Sequence, residues 1–228
     1  MSNNLSDEAI YKKILKSIVE RQLPPGARLP EDKLSEAFGK SRTSIRKVLQ
    51  RLALERIVTI APNKGAQVNR PTEKEAKEVL DSRIMLEPIL IPDILKVWST
   101  SHSNHFRKMV AAEKKAEQEE DQSALIQLTA QFHYELAQLS GNSVMAEFIE
   151  QLCYRSSLII AVFGSRHSVS CDCGDHDAFI DILDKGDHDT AQKWMKHHLV
   201  HIKSSLKLAT SDDHKINFKH LFSTMDEK

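Results

Sequence analysis

The stretch Pro24–Val68 constrains the fold more tightly than any other part of this chain. Leu34, Ala37 and Phe38 put an apolar face on one short helix, and Gly39 and Lys40 make a turn after it. Ser41 then supplies an N-cap, because its hydroxyl can accept an orphan amide of the next helix. That helix carries Ile45, Val48, Leu49 and Leu52 on one face, the spacing of a core-facing stripe. Its other face presents Arg42, Thr43, Arg46, Lys47 and Arg51. Ile57–Ile60 and Ala66–Val68 read as two short strands, with Asn63-Lys64-Gly65 as the hairpin tip between them. Helix, turn, capped basic helix and hairpin, in that order, predict a winged helix-turn-helix.

A lone basic helix face is usually only a solvated surface. Here it is joined to a cap, an apolar stripe and a hairpin, and the combination points to double-stranded DNA. A helix docked in the major groove meets base edges with its N-terminal residues and phosphates with its flanks. Arg42, Thr43 and Arg46 lie on its first turns. Arginine pairs bidentately with guanine, and threonine bonds phosphate or touches a thymine methyl. Lys64, at the wing tip, would reach an adjacent groove or backbone. The charge distribution agrees. Residues 1–70 hold 14 Lys and Arg against 7 Asp and Glu, a balance of +7, whereas residues 71–228 balance to −7. The zero net charge of the whole thus hides a basic head on an acidic body, and the head is the half suited to phosphate contacts.

These residues resemble the GntR-type bacterial transcription regulators. The resemblance rests on Pro25-Gly26, Leu29, Leu34-Ser35-Glu36, Ser41-Arg42-Thr43, Arg46, Leu49, Leu52 and Asn63-Lys64-Gly65-Ala66. It implies DNA contacts at Arg42, Thr43, Arg46 and Gly65, with Lys33 a weaker candidate because spacing varies there between subgroups. Lys47 and Lys64 join this set from their place on the basic face and the wing. Lys40 stands where the family usually has a small apolar residue, and reads as an exposed turn residue.

With 228 residues the chain is long enough for two modest domains. No apolar run is long enough to span a bilayer, and MSNNLSDEAI lacks the layout of a secretory signal. Three cysteines, Cys153, Cys171 and Cys173, argue against a disulfide framework. A cytoplasmic protein with no membrane partner is the expectation. Residues 5–22 read as a first helix, and the head ends near Asn69, giving a domain of residues 1–70. Thr72 caps the next helix, with Glu75 three residues on. Helices are expected near 73–97, 102–119, 122–139, 143–164, 174–184 and 187–208, making 71–208 an all-α bundle. Pro88 and Pro92 should kink or split the first of these. Ser165–Gly174 reads as a loop, and 209–228 as a polar tail with a small amphipathic element, Ile216–Leu221. The fold class is therefore mainly α: a winged helix-turn-helix with a small two-stranded wing, followed by a helical effector and dimerisation domain.

All eleven histidines lie after residue 100, so the body is the place to look for a metal or a titrating site. His102, His105, His167, His188, His214 and His220 read as surface or satisfied residues. His133, in Gln131–Leu136, His176, at a helix start, and His198, at the end of Ala191–Leu199, stand apart. This half resembles the FCD effector domain of the FadR subgroup, with Arg83, Leu86-Glu87 and Gly186-Asp187 as further matches. The resemblance implies a divalent metal, such as zinc, nickel, iron or manganese, held by His133, His176 and His198. It also implies an aspartate one turn before His133, where this chain has Thr129. Three arrangements fit that departure. Water or effector oxygens could complete a three-histidine site; Asp175 or the Cys171/Cys173 pair could substitute; or the cluster could be a metal-free polar pocket. Arg83, and Thr129 itself, are the candidate effector contacts, since a guanidinium forks onto a carboxylate. Asn142 is expected to cap the following helix, and Trp194 and Phe163 to be pocket walls or core.

The expected function is a ligand-responsive transcription regulator, a repressor by family precedent. It would bind an inverted repeat as a homodimer and be released by a small organic acid. The alternatives are a metal-sensing regulator and a metal-dependent hydrolase or lyase with a DNA-binding head. No general base stands beside the triad to support the enzyme.

Overall fold

The computed structural model describes residues 5–62, 64–164 and 176–207. The expectations for Asn63, for Ser165–Gly174 with Cys171 and Cys173, for Asp175 and for the tail 209–228 lie outside these residues. The described chain forms two compact units that divide between Pro71 and Thr72.

The first unit holds α1 (Asp7–Val19), β1 (Arg28–Leu29), α2 (Glu31–Phe38), α3 (Arg42–Leu54), β2 (Val58–Ala61) and β3 (Gly65–Val68). Gly39 takes the left-handed conformation that ends α2, with φ 61°, and the Ser41 hydroxyl accepts from the Ser44 amide to start α3. Ile45, Val48, Leu49 and Leu52 are all buried, so the apolar stripe faces the core. They share that core with Ile10, Ile14 and Ile18 of α1 and with Leu34 and Phe38 of α2. β2 and β3 pair antiparallel as the wing, with Ile60 opposite Ala66. A third short strand, β1, adds to the other edge of β3, in the order β1-β3-β2. The two-stranded expectation thus becomes a three-stranded sheet. A two-residue strand carries no periodicity by which a sequence could announce it.

The second unit is all helical: α4 (Glu73–Val97), α5 (Thr100–Gln118), α6 (Gln122–Gln138), α7 (Ser143–Phe163), α8 (His176–Asp184) and α9 (His188–Ser204). Thr72, Ser99, Asp121, Asn142 and Asp187 each cap a helix by accepting a backbone amide. Thr72 caps as expected, but the Glu75 carboxylate does not reach back to it and instead pairs with Arg155 of α7. α4 packs on α9 and α7, α6 on α7 and α5, and α8 on α5 and α9. Of the kink or split expected at Pro88 and Pro92, the split does not occur: α4 is continuous through both prolines. Pro92 has no N–H for the carbonyl of Pro88, one turn earlier. Gln192 of α9 supplies the missing donor, its side-chain amide reaching that carbonyl at 3.1 Å. The neighbouring helix thus satisfies the acceptor that a break would otherwise have exposed to water.

Among the described residues, no helix is long and apolar enough to cross a membrane.

Candidate nucleic-acid interface and candidate metal centre

In the first unit, α3 presents Arg42, Thr43, Arg46 and Lys47 to solvent, α2 presents Lys33, and the wing presents Lys64 and Gly65. Gly65 has φ 73°, a left-handed conformation that a side chain would strain. Arg51 departs from this set. Its guanidinium lies 3.7 Å over the Tyr11 ring and pairs with Glu8 of α1 and with Glu55 at the end of its own helix. Tyr11 in turn donates to Glu55 at 2.6 Å. Arg51 therefore fastens α3 to α1, and its place on the basic face is structural. Arg46 shows a contact with no signal in the sequence pattern. Its Nε and Nη2 donate to the two oxygens of Glu31, at 2.9 and 2.7 Å.

In the second unit, His133 of α6, His176 of α8 and His198 of α9 converge, each buried. One ring nitrogen from each lies within 4.8 Å of the others. The rings are walled by aromatics. Phe132 stacks on His176 with centroids 4.0 Å apart, and Trp194 stacks on His198 at 4.9 Å. Phe179 backs Trp194, so Trp194 lines the centre, whereas Phe163 is a buried core residue at the end of α7.

Two buried carboxylates hold two of these rings from behind. His133 Nδ1 lies 2.6 Å from Glu87 of α4, and His176 Nδ1 lies 2.8 Å from Glu113 of α5. A carboxylate acceptor keeps the proton on Nδ1 and leaves the Nε2 lone pair facing away from it. Nε2 of His176 is fully buried and has no hydrogen-bond partner among the described residues. An imidazole acceptor buried in that state is costly unless something electrophilic meets it.

Burial pushes His133 down to about 4, helped by the charges of Arg83 and His176 and opposed by Glu87. Burial likewise holds His198 well below the ordinary histidine range, with the other two histidines and Arg83 adding to it. Neutral imidazoles are the form that binds a metal. Burial alone would raise the Glu87 carboxyl, but Arg83 and His133 outweigh it and hold it at about 2. The donor set of buried imidazoles, two of them oriented by carboxylates, fits a divalent transition metal.

Arg83 is buried beside this centre. Its Nε donates to Glu87 at 2.5 Å and its Nη1 to the Ser156 hydroxyl at 2.8 Å, while Nη2 is buried without a partner among the described residues. Thr129 is half-buried one turn before His133, and its hydroxyl donates to the carbonyls of Leu125 and Ile126. That bond inside its own helix engages the hydroxyl proton and leaves the oxygen lone pairs. Cys153, close to Arg83, is pushed up to about 12 by burial and is inert as a thiolate. His105 pairs with Glu135, in keeping with its reading as an ordinary surface histidine.

Comparison with known proteins covers both units. Residues 6–68 match the family described as bacterial regulatory proteins, gntR family, and residues 78–201 match the FCD domain. A fatty acid metabolism regulator protein of Klebsiella pneumoniae is 29% identical over 208 residues, spanning 79% of this chain and 87% of that protein. A protein of the same name from Shewanella frigidimarina is 34% identical over 145 residues, spanning 58% and 61%. Among solved structures, a GntR transcriptional regulator from Rhodococcus sp. RHA1 superposes with TM-score 0.66 at 20% identity, covering 87% of this chain and 95% of that one. E. coli McbR/YncC superposes with TM-score 0.62 at 20% identity, covering 88% and 94%. A gntR-type DNA-binding unit followed by an FCD domain that fills more than half of the chain settles the classification: the chain belongs to the GntR family of bacterial regulatory proteins, and is a DNA-binding transcription regulator with an FCD domain rather than an enzyme.

Proposed function

We propose that this regulator is a ligand-responsive repressor that grips an inverted-repeat operator as a homodimer and releases it when a small carboxylate binds the FCD unit. The observation that carries the reading is the triad of buried imidazoles, two of them fixed through Nδ1 by Glu87 and Glu113. His133, His176 and His198 would hold a divalent metal through their remaining nitrogens. A metal so bound supplies Lewis acidity and open positions for ligand oxygens. The partnerless Nη2 of Arg83 offers a donor for the same carboxylate, and stacked Trp194 and Phe132 keep the site dry around it. Among the described residues the candidate ligands are three histidines, which leaves positions on the metal for carboxylate oxygens in competition with water.

On the DNA side, Arg42, Thr43 and Arg46 would meet base edges, while Lys33, Lys47, Lys64 and the Gly65 backbone meet phosphates. Ligand response requires only that the carboxylate bind the DNA-incompetent arrangement more tightly than the competent one. A regulator that senses the ion itself is the second reading, favoured by the same triad. The test is binding to the chain's own upstream promoter DNA, by fluorescence anisotropy, with zinc- or nickel-loaded protein. Short dicarboxylates and, because relatives are named for fatty acid metabolism, a free fatty acid are then titrated in. Release by a carboxylate only when metal is loaded supports the proposal. Release on metal loading alone makes the ion the signal. Release in metal-free protein to the same extent overturns the metal's part in it.

A further inference from the structure

We infer that Glu31 is a positioning residue for DNA reading, holding the Arg46 guanidinium so that it forks onto one guanine in each half-site. The inference rests on the placement of α3 in the major groove, and adds a second residue to that reading. Arg46 projects from the second turn of α3, largely exposed. A long exposed arginine ordinarily samples many rotamers and loses that freedom when it meets a base. Here its Nε–H and one Nη2–H are taken side-on by both oxygens of Glu31, from the first turn of α2. The bidentate pair fixes the guanidinium plane.

It also leaves a particular edge open. A guanidinium has five N–H donors, and side-on pairing uses two of them. The two Nη1 hydrogens and the second Nη2 hydrogen remain, and one from each nitrogen forms the end-on fork that suits O6 and N7 of guanine. Glu31 and Arg46 thus join α2 to α3 without occupying the reading edge. The hydrogen bond from Arg46, with a smaller contribution from the Arg42 charge, holds the Glu31 carboxyl below the usual carboxylate range.

The arrangement has two opposite consequences. A carboxylate beside phosphate repels the backbone and weakens binding to any sequence. The same carboxylate removes the rotamer cost of reading guanine, and strengthens binding only where the guanine is present. Glu31 therefore exchanges general affinity for discrimination.

The experiment selects binding sites from a double-stranded DNA library with a random core, using the wild-type full chain and the Glu31→Ala, Glu31→Gln and Arg46→Ala variants. Affinity for a scrambled duplex is measured alongside, and thermal unfolding checks each fold. The expected result is that Glu31→Ala lowers the preference for guanine at one position per half-site by about tenfold. It leaves the other positions unchanged and binds scrambled DNA a few-fold more tightly. Glu31→Gln, which keeps one acceptor, falls between. An unchanged base profile in Glu31→Ala, or a gain in general affinity with discrimination intact, overturns the inference. If Arg46→Ala also keeps the wild-type profile, the docking of α3 itself is wrong; if only Arg46→Ala loses guanine, the fault lies with Glu31 alone.

Discussion

Replacing Glu113 by glutamine separates a metal centre from a polar core. Glu113 is buried, with its two oxygens 2.8 and 3.1 Å from Nδ1 of His176. Its carboxylate can only accept, so in the neutral imidazole, the form that binds a metal, the proton sits on Nδ1 and Nε2 keeps its lone pair. Glutamine has nearly the same shape but brings an NH2 group. Where that group faces Nδ1, the proton moves to Nε2 and the ligand atom is blocked; where its oxygen faces Nδ1, the basicity lent by the charge is gone. Outer-shell partners of this kind carry about 10- to 100-fold in metal affinity. That corresponds to about 1.4–2.7 kcal/mol of binding free energy. The metal-free variant should lose less stability than Glu87→Gln, because no buried arginine depends on Glu113. Glu87→Gln is the contrast. It weakens the metal in the same way through His133, but also strips the buried Arg83 of its counter-charge. Breaking a buried pair by removing one partner costs about 3–5 kcal/mol. Zinc titration against a chromophoric chelator reads affinity, and urea unfolding of the metal-free protein reads stability. A folded Glu113→Gln that binds zinc as tightly as wild type would refute the tautomer argument.

His133, held at about 4 by burial, and His198, held well below the ordinary range, stay neutral in the fold but protonate near about 6.5 when unfolded. The folded pKa is the lower one, so the unfolded state binds more protons as pH falls. The contribution is intact above about pH 6.5 and is lost as pH drops toward 4. Urea unfolding of metal-free protein should therefore show a loss on the order of a few kcal/mol between pH 7.5 and 4.5 that His198→Phe reduces; an unreduced loss would count against it. Gln192→Ala leaves the Pro88 carbonyl without its donor and should cost about 1 kcal/mol, with a split α4 visible as faster amide exchange around Pro92. Arg46→Ala should abolish sequence-specific DNA binding with metal affinity unchanged, whereas Arg51→Ala should lower thermal stability with base preference retained.

The head was legible because its signals are local. Ser41 caps the helix it precedes, and the stripe from Ile45 to Leu52 points inward on one helix with no help from distant residues. What escaped depends on partners far along the chain. The continuity of α4 rests on Gln192, and two prolines read alone argue for a break. Glu113 lies in the charged run Glu113–Gln118 and reads as a solvated face until α8 packs on α5 and carries His176 onto it. Glu87 was visible as part of a motif, but its task of tying Arg83 to His133 needs α4 and α6 side by side. His133, His176 and His198 came from resemblance, since spacings of tens of residues hold no geometric information. The same distance hid the pairing of Arg46 with Glu31, and Arg51 looked equivalent to its basic neighbours until Tyr11 of α1 was placed beneath it.

The most direct measurement is the metal content of the full chain, expressed without a histidine tag, by elemental mass spectrometry. His176→Ala and Glu113→Gln are measured beside it. Near-stoichiometric zinc, nickel, iron or manganese is expected in the wild type, with loss of nearly all of it in His176→Ala and partial loss in Glu113→Gln. A wild-type protein that holds no metal, and takes up none on dialysis against zinc or nickel, would contradict that expectation and leave His133, His176 and His198 a hydrogen-bonded core.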